Sequence, residues 1–480
     1  MPIASLLLVP LSAAAPPHQT ARVHVSSMMV TVTDARFVPA TVVAPLGERV
    51  VWRLPSTDVR THRIADGSGL GLFTSPLLRP GEAFSYRFEL AGTYRIKDLA
   101  TGLTGTVRVP VALGRTSGPV GTSFDLRWAT AIPPPGDRFD VEVKPPGRAG
   151  YVYFERRTVA MDAPLVASSS GQYAFASRLD EQGGGRVTRW SPPAYITVTF
   201  ASVSDPIGIA ATSAQVYVSR PYCGSPHQVL AIAPSGKKTL VANLPRADAP
   251  CSEDDMAMSP GTFGFPKGYL YVTQGPQIYA IPPGGRRASL FVTLTKMASN
   301  GHDGITFDSV GTFGHEMIVT SKLGEIWRVS PARVVRPVAD APSFIEGPDV
   351  IPRSIPRYGG DLLVAGEGKS LVYVVHPDGV VVPLVPWYHA EFVTSIPRTR
   401  CTLTGTPYGY FVTDYAAHGI VAYPPVSSPG LAGHPIVASE SHLGVDALTV
   451  GPTGVALLPF LPGEFDPEAA AFARCPAPGR

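Results

Sequence analysis

The stretch SLVYVVHPDG, from Ser370 to Gly379, joins an alternating run of Val and Tyr to a Pro-Asp-Gly turn. Such a run indicates a short β-strand, and the turn residues indicate where the strand ends. Similar segments occur elsewhere after residue 226, as HQVLAIAP, PQIYAIPP, GEIWRVSP and GIVAYPP. A strand and turn that recur in this way indicate a repeat architecture, in which each unit supplies a few strands.

Each unit of this repeat opens with an acidic residue and contains another strand before the one just described. Those earlier strands read QVYVSR, GYLYVTQ, EMIVTSK, DLLVAGE, YFVTDY and GVALLPF. The opening residues recur at intervals of roughly 40 to 55 residues, and they are Asp205, Asp255, Asp303, Asp349, Glu391 and Asp446. Repeats of this length with short strands are typical of β-propeller blades, so residues 203–480 are predicted to form a six-bladed propeller.

Two segments are similar to blades of the regucalcin/gluconolactonase-like and NHL-type propeller families: GHDGITFD, from Gly301 to Asp308, and SLVYVVHPDG. The resemblance implies a divalent ion at one rim of the central channel, held by Glu, Asn and Asp, that polarises an ester carbonyl. Oxygen-rich rims suit calcium, so we expect Ca²⁺ in the channel. The expected ligands are Asp255, Asp303, Asp349, Glu391 and Asp446, with Asn300 and Glu346 close by.

The same acidic side chains have a second interpretation, in which they accept hydrogen bonds from backbone N–H groups of the neighbouring blade. Catalysis would also need a general base, and the candidates are His302 beside Asp303 and His389 beside Glu391. No GxSxG, HExxH, phosphate-loop or dinucleotide motif occurs in a supporting context. Two hypotheses follow: a binding protein with a propeller recognition surface, and a metal-dependent, lactonase-like hydrolase or lyase acting in the channel.

The last repeat is incomplete, because GVALLPF is followed only by the tail FDPEAAAFARCP. The ring can be closed by this tail, pinned by a disulfide, or by a strand from near Phe200. No CxxC pair occurs among the four cysteines, so disulfides are expected rather than a zinc or dithiol site. Near neighbours close the smaller loops, which favours Cys223 with Cys251 and Cys401 with Cys475.

Residues 25–112 are predicted to form a β-sandwich. The VVWR strand, His62 in THRI, the segments around Phe73, RPGEAFSYRF and GTYRI...GLTGTVRV follow the order of the cupredoxin (plastocyanin/azurin-like) family. That resemblance implies copper held by two His, a Cys and a Met. His62 matches the first ligand, but the segment from Tyr94 to Thr104 offers no sulfur or imidazole, and Leu103 replaces Met. We therefore expect a sandwich without copper.

Residues 115–200 are predicted to form a second sandwich, because short alternating segments separated by Gly and Pro continue there. The segments SFDLRWAT, SGQYAFASRL and TRWSPPAYITV are similar in order to the fibronectin type III family. The resemblance implies a spacer or interaction module. We interpret Trp128, Tyr173 and Trp190 as core residues rather than as ligand-binding ones.

Composition agrees with an all-β protein that does not bind nucleic acid. Charged residues are 16% of the 480-residue chain and the net charge is +3, without the concentrated basic surface that phosphate binding needs. Hydrophobic residues are 44%, and the 51 Pro and 48 Gly separate short Val-, Tyr- and Phe-rich runs. This pattern is typical of strands joined by turns.

The first segment, MPIASLLLVPLSAAAPP, places an apolar stretch before small residues, although no Lys or Arg precedes it. Residues 1–20 are therefore predicted to be a signal peptide, and the alternative is a simple apolar tail. No other run is long enough for a membrane span. We expect a monomeric, secreted or cell-surface bacterial protein with an extracellular glycan, peptide or small-molecule ligand.

Overall fold

The computed structural model confirms the all-β fold class, with two sandwiches followed by a six-bladed propeller. It describes residues 28–181, 188–245, 251–294, 302–425, 429–440, 444–451, 454–461 and 466–475. The predicted signal peptide, residues 1–20, lies outside these ranges. Within them, no helix combines the length and the apolar character needed to cross a bilayer. Two short 3-10 helices occur, at Glu367–Lys369 and Pro429–Leu431.

Eight strands build the first sandwich: β1 (Met28–Val32), β2 (Phe37–Val38), β3 (Thr41–Val43), β4 (Arg49–Arg53), β5 (Ile64–Asp66), β6 (Ala83–Arg87), β7 (Gly92–Asp98) and β8 (Thr104–Val109). They form two sheets, ordered β2-β1-β4-β6 and β3-β8-β7-β5. Alternate residues of β7 are buried, so Tyr94 and Ile96 lie in the core. There Trp52 stacks on Phe73 with ring centroids 5.7 Å apart.

The second sandwich contains β9 (Ala112–Leu113), β10 (Ser117–Pro119), β11 (Ser123–Arg127), β12 (Asp137–Lys144), β13 (Val152–Thr158), β14 (Asp162–Val166), β15 (Gly171–Glu181) and β16 (Ala194–Thr199). Its sheets are ordered β10-β16-β15-β12-β13 and β14-β11-β9. Trp128 and Tyr173 are buried, as predicted, whereas Trp190 is half-buried beneath the Arg178 guanidinium, 4.6 Å from the ring centroid. The likeness to fibronectin type III domains stays a prediction.

Both sandwiches share one continuous apolar core. The Ala91 N–H donates to the Trp128 carbonyl at 2.7 Å, and the Thr93 hydroxyl donates to the Trp190 carbonyl at the same distance. Because backbone groups are paired across the junction, the two sandwiches are held together by more than a linker.

The propeller strands follow in chain order. They are β17 (Ala201–Ser202), β18 (Ile209–Ala211), β19 (Val216–Arg220), β20 (Gln228–Ile232), β21 (Lys238–Asn243), β22 (Met256–Met258), β23 (Leu270–Gln274), β24 (Gln277–Ile281), β25 (Ser289–Thr293), β26 (His302–Phe307), β27 (Met317–Ser321), β28 (Glu325–Val329), β29 (Val335–Asp340), β30 (Glu346–Val350), β31 (Leu362–Gly366), β32 (Leu371–Val375), β33 (Val381–Pro386), β34 (Ala390–Ser395), β35 (Tyr410–Asp414), β36 (Gly419–Tyr423), β37 (Pro435–Ser439), β38 (Gly444–Gly451), β39 (Gly454–Leu461) and β40 (Pro467–Phe472).

Four blades are simple four-stranded antiparallel meanders, β18 to β21, β22 to β25, β26 to β29 and β30 to β33. The fifth blade is ordered β34-β37-β38-β39 and the sixth β40-β35-β36-β17. The first strand of each order is innermost, and these strands contact one another successively around a closed ring. The fifth and sixth blades are therefore interleaved in sequence.

This interleaving corrects the predicted sixth repeat. Asp446 does not open an innermost strand, because it lies on β38, the third strand of the fifth blade, opposite Val437. The segment YFVTDY is β35 and belongs to the sixth blade, whereas GVALLPF lies on β39 at the outer edge of the fifth. Strand spacing alone does not specify which neighbour a strand pairs with, and here two consecutive strands cross into the next sheet.

Ring closure uses both predicted devices. The tail supplies β40, the innermost strand of the sixth blade, and β17 from beside Phe200 supplies its outermost strand. Both predicted disulfides are confirmed: one joins Cys223 to Cys251 and the other joins Cys401 to Cys475. A sheet that contains strands from both ends of the propeller joins its last blade to its first and so closes the ring.

Candidate functional site

Register shifts mark the start of four innermost strands. They occur between His302 and Gly304 on β26, between Glu346 and Asp349 on β30, between Ala390 and Val393 on β34, and between Pro467 and Ala469 on β40. A β-bulge re-aims side chains and is common beside functional sites. At Gly347, with φ of +32°, a Cβ atom would lie 2.4 Å from the Phe392 Cα, so only glycine lets the neighbouring strand approach this closely.

The starts of the innermost strands surround one end of the channel, which we call the acidic mouth. Its outer cavity has a volume of about 340 Å³ and is lined by Tyr222, Glu253, His389, Tyr415, Glu440, Asp466 and Glu468. A smaller cavity of about 30 Å³ lies deeper, where Glu253 and Glu468 are joined by Asp255, Glu346 and Glu391. Carboxyl groups from several blades therefore face one space.

Two groups of side chains in the acidic mouth have the spacing of a metal site. Carboxylate oxygens of Glu391, Glu440 and Glu468 lie within 4.8 Å of one another. The same limit holds for ligand atoms of Glu367, His389 and Glu440, so Glu440 belongs to both groups. Positive charge reaches the mouth through Lys322, whose ammonium lies 2.9 Å from the Glu253 carboxylate.

Glu391 is the most deeply buried of these acids, with 4% of its surface exposed. Its Oε2 atom makes no hydrogen bond to any residue in the described ranges. Burial raises the pKa of Glu391 well above its ordinary value, although a hydrogen bond with Glu346 opposes the shift. A buried carboxyl oxygen without a donor is costly, so the site favours a proton or a cation at this point.

The neighbouring acids show the same effect. Burial, together with the charges of Glu253, Glu440 and Asp466, raises the pKa of Glu468 to about 9. Burial and the nearby Glu367 raise the pKa of Glu440 to about 7. Carboxylates this close cannot all ionise without a compensating positive charge.

Two predicted metal ligands are engaged elsewhere. The Asp255 Oδ2 accepts a hydrogen bond from the Ile305 N–H at 3.1 Å, and the Asp349 Oδ2 accepts one from the Ser395 N–H at 2.6 Å. Each bond crosses from one blade to the next, as in the second interpretation of the repeated acids. Burial raises the pKa of Asp255 to about 7 and that of Asp349 to about 6.

The remaining predicted residues divide into three cases. Glu391 lies in the acidic mouth as expected, and His389 lies beside it. Asp446 lies on the third strand of its blade and belongs to neither group of closely spaced ligands in the mouth. His302 and Asp303 begin β26, but their side chains and the whole of Asn300 fall outside what the structure describes.

Sequence reasoning missed five acids of the mouth: Glu253, Glu367, Glu440, Asp466 and Glu468. Glu468 was detectable, because PEAAAF resembles a small-residue innermost strand that opens with an acid, as the other units do. Glu367 follows β31 and Glu440 follows β37, so both lie on connections whose position in space depends on blade pairing. No spacing in the sequence identifies them.

The opposite end of the channel is wider and less acidic. A cavity of about 630 Å³ is lined there largely by apolar and small residues, with the guanidinium groups of Arg398 and Arg474 on its wall. The Arg474 Nη1 donates to the Ser259 carbonyl at 3.3 Å. Asp255 and Asp349 also line this cavity, so acids and arginines are mixed at this end, whereas several carboxylates and, among the described residues, no arginine line the cavity of the acidic mouth.

The first sandwich does not fit the blue-copper centre that its resemblance implies. His62 is fully buried, and its Nδ1 lies 2.6 Å from the Asp98 Oδ2. Asp98 also accepts hydrogen bonds from the Arg63 and Ala100 N–H groups and from the Thr101 hydroxyl. The segment that would carry the copper ligands thus holds the imidazole through a carboxylate, and it supplies no sulfur for a copper ion.

Comparisons with known proteins concern the fold. No family model matches the chain, and no curated protein matches its sequence. A purple cupredoxin from Nitrosopumilus maritimus is 24% identical over 17% of this chain and 97% of its own, with a TM-score of 0.16. A proline-to-glycine mutant of amicyanin, in its reduced Cu(I) form, is 19% identical over 18% and 82%, with a TM-score of 0.17. A streptogramin B lyase is 11% identical over 54% of this chain and 70% of its own, with a TM-score of 0.34.

Proposed function

We propose that this chain is an exported binding protein whose propeller takes up Ca²⁺ in the acidic mouth and uses it to hold a ligand. The proposal rests on the buried Glu391 carboxyl, whose Oε2 has no hydrogen-bond donor among the described residues. A carboxylate oxygen of Glu391 also lies within 4.8 Å of carboxylate oxygens of Glu440 and Glu468. A cation bound there would satisfy this oxygen and neutralise the neighbouring acids at once.

The donor set favours calcium over other common ions. Glu391, Glu440 and Glu468 offer only hard oxygen ligands, and Ca²⁺ accepts six to eight such ligands in irregular geometry. Zinc prefers nitrogen and sulfur, and Mg²⁺ demands a stricter octahedron. Water or ligand oxygens would complete the coordination from the outer cavity, whose volume is about 340 Å³.

The walls of the outer cavity indicate the class of ligand. Tyr222 and Tyr415 face it beside the acids. Aromatic rings pack against sugar faces, and vicinal hydroxyls can replace water on a calcium ion. A neutral, oxygen-rich ligand such as a glycan therefore fits this mouth better than an anionic ligand does. One Ca²⁺ ion does not cancel the charge of all the acids, and the remaining negative charge would repel an anion.

A metal-dependent hydrolase or lyase is the second candidate, and His389 is the observation that favours it. A ring nitrogen of His389 lies within 4.8 Å of carboxylate oxygens of Glu367 and Glu440. His389 also lines the same cavity as Glu468. A histidine at this place could take a proton from a substrate or water polarised by the ion.

Export is supported by the two disulfides, which persist in oxidising compartments. The apolar segment at residues 1–20 supports the same location on the secretory side of a bacterium. We propose a secreted or cell-surface protein that acts as a monomer.

Isothermal titration of the chelator-treated full chain with Ca²⁺ tests the proposal. One stoichiometric site is expected, and E391Q/E468Q should weaken it at least a hundredfold. A panel of glycans, followed by a panel of lactones and esters, then separates the two candidates. Calcium-dependent glycan binding without turnover supports the binding protein, turnover that H389Q abolishes supports the enzyme, and absence of a Ca²⁺ site in the wild type overturns both.

A further inference from the structure

Another cluster of ligand atoms lies outside the propeller, in the first sandwich. Oxygens of Asp34 and Asp58 and a ring nitrogen of His62 all lie within 4.8 Å of one another. Asp34 belongs to the turn between β1 and β2, and Asp58 follows β4 in the loop that leads to His62. Residues from two separate loops therefore meet at one buried imidazole.

The unusual feature is what lies between these atoms. The His62 Nε2, the Asp34 Oδ1 and the Asp58 Oδ2 are all buried, and each lacks a hydrogen-bond partner in the described part of the chain. The Nε2 lies 3.5 Å from the Asp34 Oδ1 and is fully shielded from solvent. Unpaired polar atoms in such a place are costly, so a bound species is expected to satisfy them.

The opposite ring nitrogen specifies what that species can be. Asp98 lies 2.6 Å from the His62 Nδ1, and two backbone N–H groups fix the Asp98 carboxylate. A carboxylate in this position keeps the proton on Nδ1, which leaves the Nε2 lone pair directed at the two aspartates. Three lone-pair donors then converge on one space. This is the arrangement of a carboxylate–histidine–metal triad.

We propose that Asp34, Asp58 and His62 bind a Zn²⁺ ion, with Asp98 as the positioning residue behind the imidazole. One nitrogen and two carboxylate oxygens form a borderline donor set that suits zinc, whereas Ca²⁺ and Mg²⁺ prefer oxygen alone. Tetrahedral ligands about 2 Å from zinc stand roughly 3.3 Å apart, close to the 3.5 Å between the His62 and Asp34 atoms. Asp34 is 31% exposed, so water can reach the fourth position.

This site is distinct from the copper centre that the fold resemblance implies. The proposed zinc ligand is the Nε2 of His62, directed away from the Asp98 segment, and no sulfur takes part. It is also independent of the acidic mouth, which lies in the propeller and shares no residue with it. Failure of one site therefore leaves the other untouched.

Zinc titration of the full chain in the presence of a competing chelator tests the proposal. The protein should carry E391Q/E440Q, which removes ligands from both groups of the acidic mouth, so that the mouth does not contribute. One equivalent of Zn²⁺ is expected, and adding D34N/D58N should weaken binding at least a hundredfold. The control is D125N, which removes one exposed carboxylate from the second sandwich. It should leave the zinc affinity unchanged.

The Co²⁺ spectrum and the effect of D98N on metal affinity test whether Asp98 positions the metal-binding imidazole or only stabilises the fold. Co²⁺ should give a visible ligand-field spectrum of a tetrahedral site, and D98N should reduce the affinity by about ten- to a hundredfold while the D125N spectrum stays normal. Single D34N and D58N variants, checked for folding by circular dichroism, replace the double variant if it does not fold.

Two results overturn the proposal. One is zinc binding that D34N and D58N leave intact, which places the metal elsewhere. The other is absence of zinc binding combined with nitrogen NMR signals that show protons on both ring nitrogens of His62. In that case an imidazolium between Asp34 and Asp98 satisfies the cluster without a metal.

Discussion

The carboxylate of Asp349 in the fourth blade accepts a hydrogen bond from the backbone N–H of Ser395 in the fifth blade, at 2.6 Å. Asp255 makes the equivalent contact with Ile305, from the second blade to the third. These acids therefore join adjacent blades and are occupied as acceptors. The acids with the spacing of a metal site in the mouth are instead Glu391, Glu440 and Glu468.

We expect D349A to lower the free energy of unfolding by about 1–3 kcal/mol, because the partly buried Ser395 N–H would lose its acceptor. Calcium affinity should stay within twofold of the wild type. Chemical denaturation and calcium titration measure the two quantities. A large loss of calcium affinity in D349A, with stability unchanged, would contradict the assignment of Asp349 as a blade clamp.

Removing charge from the acidic mouth should have the opposite effects to D349A: calcium affinity falls and stability is kept. E391Q is expected to weaken Ca²⁺ binding and to leave the protein as stable as the wild type or more stable, since it removes a carboxyl that burial destabilises in its charged form. D446N is the matched control, because Asp446 carries the same charge but lies on β38. Equal calcium affinity in E391Q and wild type would remove the mouth as the binding site.

Much of the architecture follows from local sequence, because strand alternation, turns and the acidic openings are properties of neighbouring residues. Sheet membership is different. Tyr410 and Gly419 begin strands that fit the repeat of the fifth unit, yet those strands pair in the sixth blade with the chain terminus. Pairing between distant strands is decided by packing, so the position of Asp446 could not be read from its spacing.

The candidate site was predictable to a similar degree. Glu391 was identified because it opens a strand, and strand ends of one ring meet at one rim. Glu440 reaches the same space from a connection between β37 and β38, which a one-dimensional pattern does not place. Whether an acid turns to backbone, as Asp255 does, or to the channel, as Glu391 does, depends on local bulges that the sequence does not reveal.

Raised pKa values in the mouth predict how stability depends on pH. Glu440, with a folded pKa of about 7, and Glu468, with one of about 9, bind protons more tightly when folded than when unfolded. Their stabilising effect is complete below the unfolded pKa of roughly 4.3 and is lost as pH rises through about 7 to 9. The calcium-depleted protein should therefore melt at a lower temperature at pH 9 than at pH 6.

Differential scanning calorimetry between pH 6 and 9 measures this effect, and each kcal/mol lost should lower the Tm by roughly 2–4 °C. Saturating Ca²⁺ should flatten the dependence, because the ion takes the place of the protons. E468Q should flatten it without calcium. A Tm that rises steadily to pH 9 in the depleted wild type would show that the acids are not strained when ionised.

Copper provides a separate test of the first sandwich. All four cysteines are paired in disulfides of the propeller, and the Asp98 carboxylate holds the His62 Nδ1. Addition of Cu(II) should therefore give no intense visible thiolate-to-copper band, and at most the weak absorption of nitrogen and oxygen ligands. Absorption spectroscopy of the full chain measures this. An intense blue or purple colour would show that the cupredoxin resemblance extends to its chemistry.

The closing strand should be the part of the ring that opens first. β40 is held to the chain by the disulfide between Cys401 and Cys475, which are 74 residues apart in sequence. In the loop-entropy account, a bridge of this span contributes about 4 kcal/mol, so C401S/C475S should lower stability by up to that amount. Release of the tail would also free Glu468, and calcium affinity should fall with it.

Hydrogen exchange followed by mass spectrometry locates the effect. In C401S/C475S, peptides covering Pro467–Phe472 should exchange faster before those covering Met256–Met258, the equivalent innermost strand of the second blade. In the second blade, the innermost strand pairs with the strand that follows it in sequence, so its position does not depend on a disulfide to a distant residue. Equal acceleration in both strands would mean that the ring unfolds as one cooperative unit and that β40 has no separate closing role.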